Sequence, residues 1–237
     1  MITPLEKILA GMAPVKRRRA AAWAGRANNK VSIVEPGTNS RLIAFSDGVF
    51  AIALTLLVFS LKIPSSAEVN TTDGLWLALK GLLPSIFAFL LSFAIIFITW
   101  VNHTAILKLV DKTSSAFVYA NGFLLLTVVL IPFPTALLGE YLLTDQAAPA
   151  VVLYSATTGL QSLSWILLCR AALYPEALTK NEKSTLTMRQ SQKTGYFALA
   201  IYLICAVLAL WFPLAVALLI SAIWIGWIIL GVYIRSE

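Results

Sequence analysis

The chain has 237 residues, of which 59% are hydrophobic and only 12% are charged, and its mean hydropathy is +0.84. Because a soluble domain usually has about 45–50% apolar and about 25% charged residues, this composition excludes the soluble classes and predicts an integral membrane protein. The two cysteines, Cys169 and Cys205, lie in apolar runs, which favours a role in helix packing over a disulfide framework or a metal site.

Residues 1–39 form a basic segment that contains the cluster Lys16–Arg19. Such a cluster can bind nucleic acid, but ahead of a membrane span it is typical of a tail that contacts anionic lipid headgroups. The apolar run after it is too short for the core of a cleaved signal peptide. We therefore predict a cytoplasmic tail and no nucleic-acid partner.

Six apolar runs follow the tail, each close to the length of about 20 residues that a spanning helix needs. The predicted spans are residues 40–63, 75–103, 117–138, 147–170, 195–212 and 214–234. Pro213 separates the last two, and the polar, basic segment 171–194 is predicted to be a solvated cytoplasmic loop. The predicted fold class is all-α, a polytopic membrane domain over residues 40–234 with six transmembrane helices.

The basic residues indicate on which side each loop lies. Six spans put both termini on one side, and that side would hold all but two of the 18 Lys and Arg residues, the exceptions being Lys62 and Lys80. By the positive-inside rule, both termini are cytoplasmic. Glu68 and Asp73 would then lie at the outer mouth, where they could favour cations.

The first span carries Arg41 and Asp47, and a charge inside a span costs about 2.5–3.5 kcal/mol on insertion scales. These side chains point apart, because six helical residues correspond to about 240° of rotation. The second span runs the opposite way, so its end, Trp100–His103, should lie at the depth of Phe45–Asp47. We predict interhelical hydrogen bonds among the polar residues of this layer, which are Ser46, Asp47, Asn102 and His103.

Three interpretations of this polar layer are compatible with the residues. It can hold the helices together, it can sense protons through His103, the single histidine of the chain, or Asp47 can contact a permeating cation.

Beyond this layer, the first span carries a stripe at helical spacing, Ile52, Thr55, Leu56 and Phe59, and small residues that allow close helix approach, Ala44, Gly48 and Ala51. In a monomer such a stripe serves packing or lipid contact. In a symmetric oligomer it could form apolar rings around an axis, and such rings can gate conduction by dewetting. No second copy of this span appears downstream, so a symmetric pathway would require several chains.

The motif formed by Arg41, Phe45, Ser46 and Asp47, followed by GVFAIALTLLV, closely resembles the RxxxFSD signature of the transmembrane-protein-175 family. Residues 100–103 (WVNH) and 132–135 (PFPT) are also similar to the family pattern in its second and third spans. Members of that family are potassium channels, lysosomal in animals and located in the plasma membrane of bacteria and archaea. The resemblance extends over all six spans and favours a prokaryotic, single-repeat member.

The resemblance implies a homotetramer whose first helix lines a central pore without a TVGYG filter. Ile52, Leu56 and Phe59 would form the narrow apolar rings, although leucine is common at the position of Phe59, and potassium would pass near the polar layer at Thr55. The signature residues would form a structural network that positions the pore helix, namely Arg41, Phe45, Ser46, Asp47, Trp100, Asn102 and His103.

We therefore predict a passive, potassium-permeable channel that is not an enzyme, with hydrophobic rings as its gate and selectivity constriction. Its partners would be potassium ions, the lipid bilayer and copies of itself, with no cofactor and no fixed metal, and it would lie in the cell membrane, the inner membrane of a prokaryote. The alternative is a proton-coupled secondary transporter that uses Asp47 and His103. A lipid-acting enzyme has the least support, because HExxH, GxSxG and paired intramembrane carboxylates are all absent from the sequence.

Overall fold

The computed structural model describes residues 38–65, 69 and 71–233, and it describes their side chains except at positions 38 and 227–233. The predicted cytoplasmic tail up to residue 37 and the predicted outer-mouth residue Glu68 lie outside the described part of the chain.

The described part of the chain is built from helices. Helix α1 spans Thr38–Leu56 and continues as a 3-10 helix, η1, over Leu57–Ser60. The remaining helices are α2 (Thr72–Gly81), α3 (Leu83–Lys108), α4 (Ser115–Leu130), α5 (Pro132–Tyr141), α6 (Ala147–Leu173), α7 (Glu182–Leu208) and α8 (Pro213–Tyr233).

Five helical segments among the described residues are long and apolar enough to cross a membrane, namely Asn39–Ser60, Leu83–Lys108, Ser115–Tyr141, Ala147–Leu173 and Glu182–Leu208. The sixth predicted span, residues 214–234, coincides with α8, which is described with its side chains as far as Gly226.

Prolines break two of the predicted spans. The second, residues 75–103, is divided at Leu82 into α2 and α3, because Pro84 lacks the amide hydrogen that a continuous helix would donate to residue 80. The third is divided at Ile131 into α4 and α5, where Pro132 and Pro134 remove two further donors. In both places the prediction of a helical apolar segment is correct, but the structure divides the segment into two helices.

The predicted loop 171–194 requires a correction, because α7 already begins at Glu182. The side chain of Asn181 accepts a hydrogen bond from the backbone N–H of Ser184 at 2.8 Å and so caps the helix. Hydropathy located only the apolar part of this helix, which continues for several polar turns beyond it. The connector that remains lies between Leu173 and Glu182.

Two glycines permit close helix crossings in the core. A Cβ atom at Gly195 would lie 2.9 Å from Cγ1 of Ile166, so α6 and α7 approach closely there. A Cβ atom at Gly139 would lie 2.7 Å from Cα of Ser85, where α5 crosses α3. Any larger residue at either position would force the helices apart.

One end of the bundle brings together the start of α1, the end of α3 and the connector before α7. Asn39 Nδ2 donates to the carbonyl of Val110 at 3.0 Å. The backbone N–H of Lys180 donates to the carbonyl of Leu109 at 2.9 Å, and Val110 forms an isolated antiparallel bridge with Thr179. These contacts agree with the prediction that the corresponding three segments lie on one side of the membrane.

Candidate functional site

Helix α1 has two different faces. One is buried against the rest of the bundle and consists of Leu42, Ser46, Phe50, Ala53 and Leu57, the last of these in η1. The other is exposed and carries all four residues of the predicted stripe, Ile52, Thr55, Leu56 and Phe59. Because these residues follow helical spacing on the face opposite the core, the subunit presents them outward as one continuous surface.

The exposed face changes its geometry near its end. The α-helical segment stops at Leu56, and Phe59, which is 78% exposed, lies in the 3-10 turn that follows. A 3-10 helix rises about 2.0 Å per residue instead of about 1.5 Å, so Phe59 lies farther along the axis from Leu56 than a continuous α-helix would place it.

The hydroxyl of Thr55 donates to the backbone carbonyl of Ile52 at 2.9 Å. Its only hydrogen is thereby used inside the helix, and the oxygen retains lone pairs that can accept from, or coordinate, a group outside. On this exposed face Thr55 therefore presents an oxygen with free lone pairs between two apolar neighbours, Ile52 and Leu56.

The opposite face of α1 is anchored by a chain of hydrogen bonds. His103 Nε2 lies 2.6 Å from Asn121 Oδ1, and Asn121 Nδ2 donates to Ser46 Oγ at 3.0 Å. Ser46 Oγ in turn donates to the carbonyl of Leu42 at 2.8 Å. Since Ser46, His103 and Asn121 are almost completely buried, each side chain depends on these partners.

A second polar contact lies beside this chain. Trp100 Nε1 donates to Asp47 Oδ1 at 2.8 Å, which gives the half-buried carboxylate a partner from α3. The ring of Phe50 lies 5.2 Å from that of His103 and covers it on the side of α1. Ser46, Asp47, Trp100 and His103 are thus brought together, in two separate hydrogen-bonded groups.

Three residues of the predicted network lie elsewhere. Asn102 is exposed and borders a cavity, because each helical step turns the side chain by about 100° and its neighbour His103 faces α1. Arg41 and Phe45 are exposed on the same side of α1 as the stripe, and Arg41 makes no ion pair or hydrogen bond with the described residues. The expected hydrogen bonding of Asn102 within the layer is therefore corrected.

Asn121 belongs to this chain of hydrogen bonds, but the sequence analysis did not identify it. It is a single amide within an otherwise apolar stretch of the third predicted span, and it joins α1 to α3. An amide in such a segment needs interhelical partners, and that requirement was the available signal.

Two further groups of polar side chains, away from the exposed stripe, make contacts within the subunit. Thr135, of the PFPT motif, forms a buried hydroxyl cluster with Ser92 and Tyr154, at 2.6 Å and 3.0 Å from Ser92 Oγ. At the opposite end of the subunit from Asn39, Lys62 Nζ lies 2.7 Å from Glu140 Oε2, and this contact raises the pKa of the exposed Lys62. No group of three or more His, Cys, Asp or Glu side chains could hold a metal ion in the described part of the chain.

Comparisons with known proteins agree with this architecture. The family model for the endosomal/lysosomal potassium channel TMEM175 matches residues 41–132. A potassium channel of Chamaesiphon minutus is 51% identical over 125 residues, which are 53% of this chain and 61% of that protein. A potassium channel of Streptomyces collinus is 38% identical over 135 residues, 54% of this chain and 64% of its own. The matched region therefore spans less than two thirds of these relatives.

Solved structures extend the similarity over most of the chain. The crystal structure of a lysosomal potassium-selective channel TMEM175 homolog from Chamaesiphon minutus has a TM-score of 0.68 and 38% identity, covering 78% of this chain and 95% of that one. The T38A variant of the potassium channel MtTMEM175 shares the fold, with a TM-score of 0.58, 20% identity and coverage of 83% and 93%. The predicted all-α membrane fold is thus confirmed. Because the chain is 38% identical to the Chamaesiphon minutus homolog and covers 95% of it, the chain belongs to the TMEM175 family. Members of this family are ion channels and not enzymes.

Proposed function

We propose that this chain is the subunit of a potassium-permeable cation channel in which copies of α1 surround a central pore. The observation that carries the proposal is the division of α1 into an anchored, buried face and an exposed face that holds Ile52, Thr55, Leu56 and Phe59. Relatives and a solved homologue that are called potassium channels support the choice of ion.

A single copy of α1 cannot enclose a pathway, so the function requires an oligomer. The family resemblance favours a homotetramer, in which four exposed faces would meet on the symmetry axis. Close packing of these large apolar side chains between subunits would stabilise the assembly at the same time as it narrows the pore. Besides copies of the chain itself, conduction would then require only permeating potassium ions and the surrounding bilayer.

The gate would arise from the apolar character of the rings. A narrow ring of Ile52 or Leu56 side chains excludes water when it is closed, and an ion that loses its hydration there meets a high barrier. Potassium holds its hydration shell less strongly than sodium, so a tight apolar neck favours it. The oxygen of Thr55, whose hydrogen is already donated to Ile52, would supply one ring of coordinating lone pairs.

The buried face would keep the pore helix in its rotation. The bonds from Ser46 to Asn121 and from Asp47 to Trp100 fix which side of α1 faces the core, and they consequently fix which side is turned outward. In this role Ser46 and Asp47 would act by positioning α1, whereas Arg41 and Phe45 lie on the same side of the helix as the stripe.

Liposome flux assays test the pore assignment. We expect Ile52→Asn to raise potassium flux and weaken the preference for potassium over sodium, because a polar ring wets the neck. The matched control is Ile204→Asn on α7, since Ile52 and Ile204 are equally exposed at 58%. The control should behave like the unaltered protein. Equal effects of both variants, in samples that elute as the same oligomer, would contradict the pore assignment.

The alternative, a proton-coupled transporter, requires proton exchange between Asp47 and His103. No hydrogen bond joins these two side chains among the described residues, since Asp47 is bound by Trp100 and His103 by Asn121. We expect Asp47→Asn to retain passive potassium flux, because the amide oxygen can still accept from Trp100. Loss of flux in Asp47→Asn, with folding and assembly intact, would support the transporter instead.

A further inference from the structure

A cavity of about 860 Å³ lies among α3, α6, α7 and α8. Each helix contributes to its wall, for example Asn102 from α3, Ser162 from α6 and Trp224 from α8. The exposed stripe of α1 takes no part in it, so this cavity is separate from the proposed pore.

The cavity has a positive rim. Arg189 and Lys193 lie one turn apart on α7 and therefore share a face of the helix. The wall contains no aspartate or glutamate, and neither cation forms an ion pair with the described residues. Two adjacent positive charges at one opening favour an anion with several oxygen atoms, such as a phosphate group.

The other part of the cavity is apolar. Its wall there includes Ile98, Ala198 and Trp224, and the ring of Trp224 stacks on that of Tyr202 with centroids 6.4 Å apart. Along α7, Lys193 and Tyr202 are separated by about 13 Å at 1.5 Å per residue. A ligand that fills both parts must have a charged group at one end and a hydrocarbon portion at the other.

The wall is held in place by interhelical contacts. Trp165 Nε1 donates to Ser191 Oγ at 2.9 Å and ties α6 to α7, while Gln161 Nε2 donates to Thr99 Oγ1 at 2.9 Å and ties α6 to α3. Helices α6 and α7 also approach each other closely at Gly195. The buried Nε1 of Trp224 has no acceptor among the described residues, so a ligand carbonyl could satisfy it.

The orientation of the cavity matches that of a lipid in one leaflet. The cationic rim lies toward the start of α7, at the end of the bundle where Lys180 contacts Leu109. The apolar part extends along α7 toward the middle of the apolar helices. A leaflet has the same order, with headgroups at the surface and chains inside.

We propose that this cavity binds an anionic phospholipid, whose phosphate contacts Arg189 and Lys193 and whose acyl chain lies along Ala198 and Trp224. The proposal is independent of channel activity, because it concerns lipid retention alone. It assigns a binding role to the polar N-terminal part of α7, which contains Arg189 and Lys193.

Native mass spectrometry of the purified oligomer tests this assignment, with phosphatidylglycerol and phosphatidylcholine as the competing probes. The unaltered protein should retain phosphatidylglycerol in preference. In the Arg189→Gln/Lys193→Gln variant, affinity should fall by about thirtyfold, if each cation contributes about 1 kcal/mol and tenfold corresponds to about 1.4 kcal/mol. The control variant Lys180→Gln/Lys183→Gln removes the same charge from residues outside the cavity wall and should retain the lipid.

Two further measurements separate lipid from other sources of phosphate. Ala198→Phe fills the apolar part without changing the charge and should also lower lipid retention, in protein that elutes as the same oligomer. Glycerol phosphate, which has no acyl chain, should compete poorly. Equal retention by the Arg189→Gln/Lys193→Gln variant and its control, or full displacement by glycerol phosphate, would overturn the proposal.

Discussion

Asn121 uses both ends of its amide, accepting from His103 and donating to Ser46. It therefore joins three helices with one side chain, and its two partners are almost completely buried. The paired amide and imidazole explain why a polar layer persists in an apolar bundle, since Ser46, His103 and Asn121 each have a hydrogen-bond partner.

We expect Asn121→Leu to destabilise the subunit by about 1–2 kcal/mol, because Ser46 and His103 lose a partner while the volume is kept. Asn102→Leu is the matched control, since Asn102 is the exposed amide beside His103 on α3. Thermal unfolding in detergent measures both. The prediction is wrong if the two variants unfold at the same temperature.

The residue scale also shows what sequence can reveal. The RxxxFSD and WVNH motifs located Ser46, Asp47, Trp100 and His103, because their depth follows from the direction of the two spans. Asn121 was not found, because no spacing rule connects a residue of the third span to the first. Asn102 was assigned wrongly, because depth alone does not specify the rotation of a side chain about the helix axis.

At the scale of elements, α1 is the helix on which the proposed function depends. The sequence predicts that the stripe lies on one face of this helix, but not which face is buried, because the core face also carries large apolar residues such as Phe50 and Leu57. The breaks at Leu82 and Ile131 could be read from Pro84 and Pro132, whereas the start of α7 could not, because polar turns outside the membrane have no hydropathy signal.

Thr55→Val tests the coordinating oxygen of α1. We expect the potassium-to-sodium permeability ratio to fall by about two- to tenfold, which corresponds to the loss of one ordinary hydrogen-bond-sized interaction of about 0.5–1.5 kcal/mol. Thr55→Ser keeps the oxygen and should keep the ratio. The control Thr144→Val changes a threonine that also donates to a carbonyl three residues earlier, outside the stripe. If the permeability ratio is unchanged in Thr55→Val, the oxygen of Thr55 does not coordinate the permeating ion.

At the scale of the whole molecule, charge and contacts agree on one layout. The end where Asn39 meets Val110 carries the segments rich in Lys and Arg, and the opposite end carries the ion pair of Lys62 and Glu140. Because Glu140 raises the pKa of Lys62, this pair exists below the ordinary value of 10.5 and is lost only as pH rises through the higher value in the folded protein.

We expect a cysteine at position 62 to react with a membrane-impermeant thiol reagent added to intact cells, and a cysteine at position 180 to react only after permeabilisation. The background should be low, because the native Cys169 and Cys205 are buried. Labelling yields on the purified protein provide the control for intrinsic reactivity. The reverse pattern of labelling would invert the topology.

The hydrogen bonds from α1 to other helices come from the part between Asn39 and Asp47, and none of the described ones comes from Gly48 to Leu56. The ion pair beyond η1 is exposed and contributes little rigidity. Beyond Asp47, the described part of α1 is held in the subunit by the apolar packing of Phe50 and Ala53, followed in η1 by Leu57. Because apolar contacts have no preferred direction, this part of the helix should rotate or slide more easily than the hydrogen-bonded part.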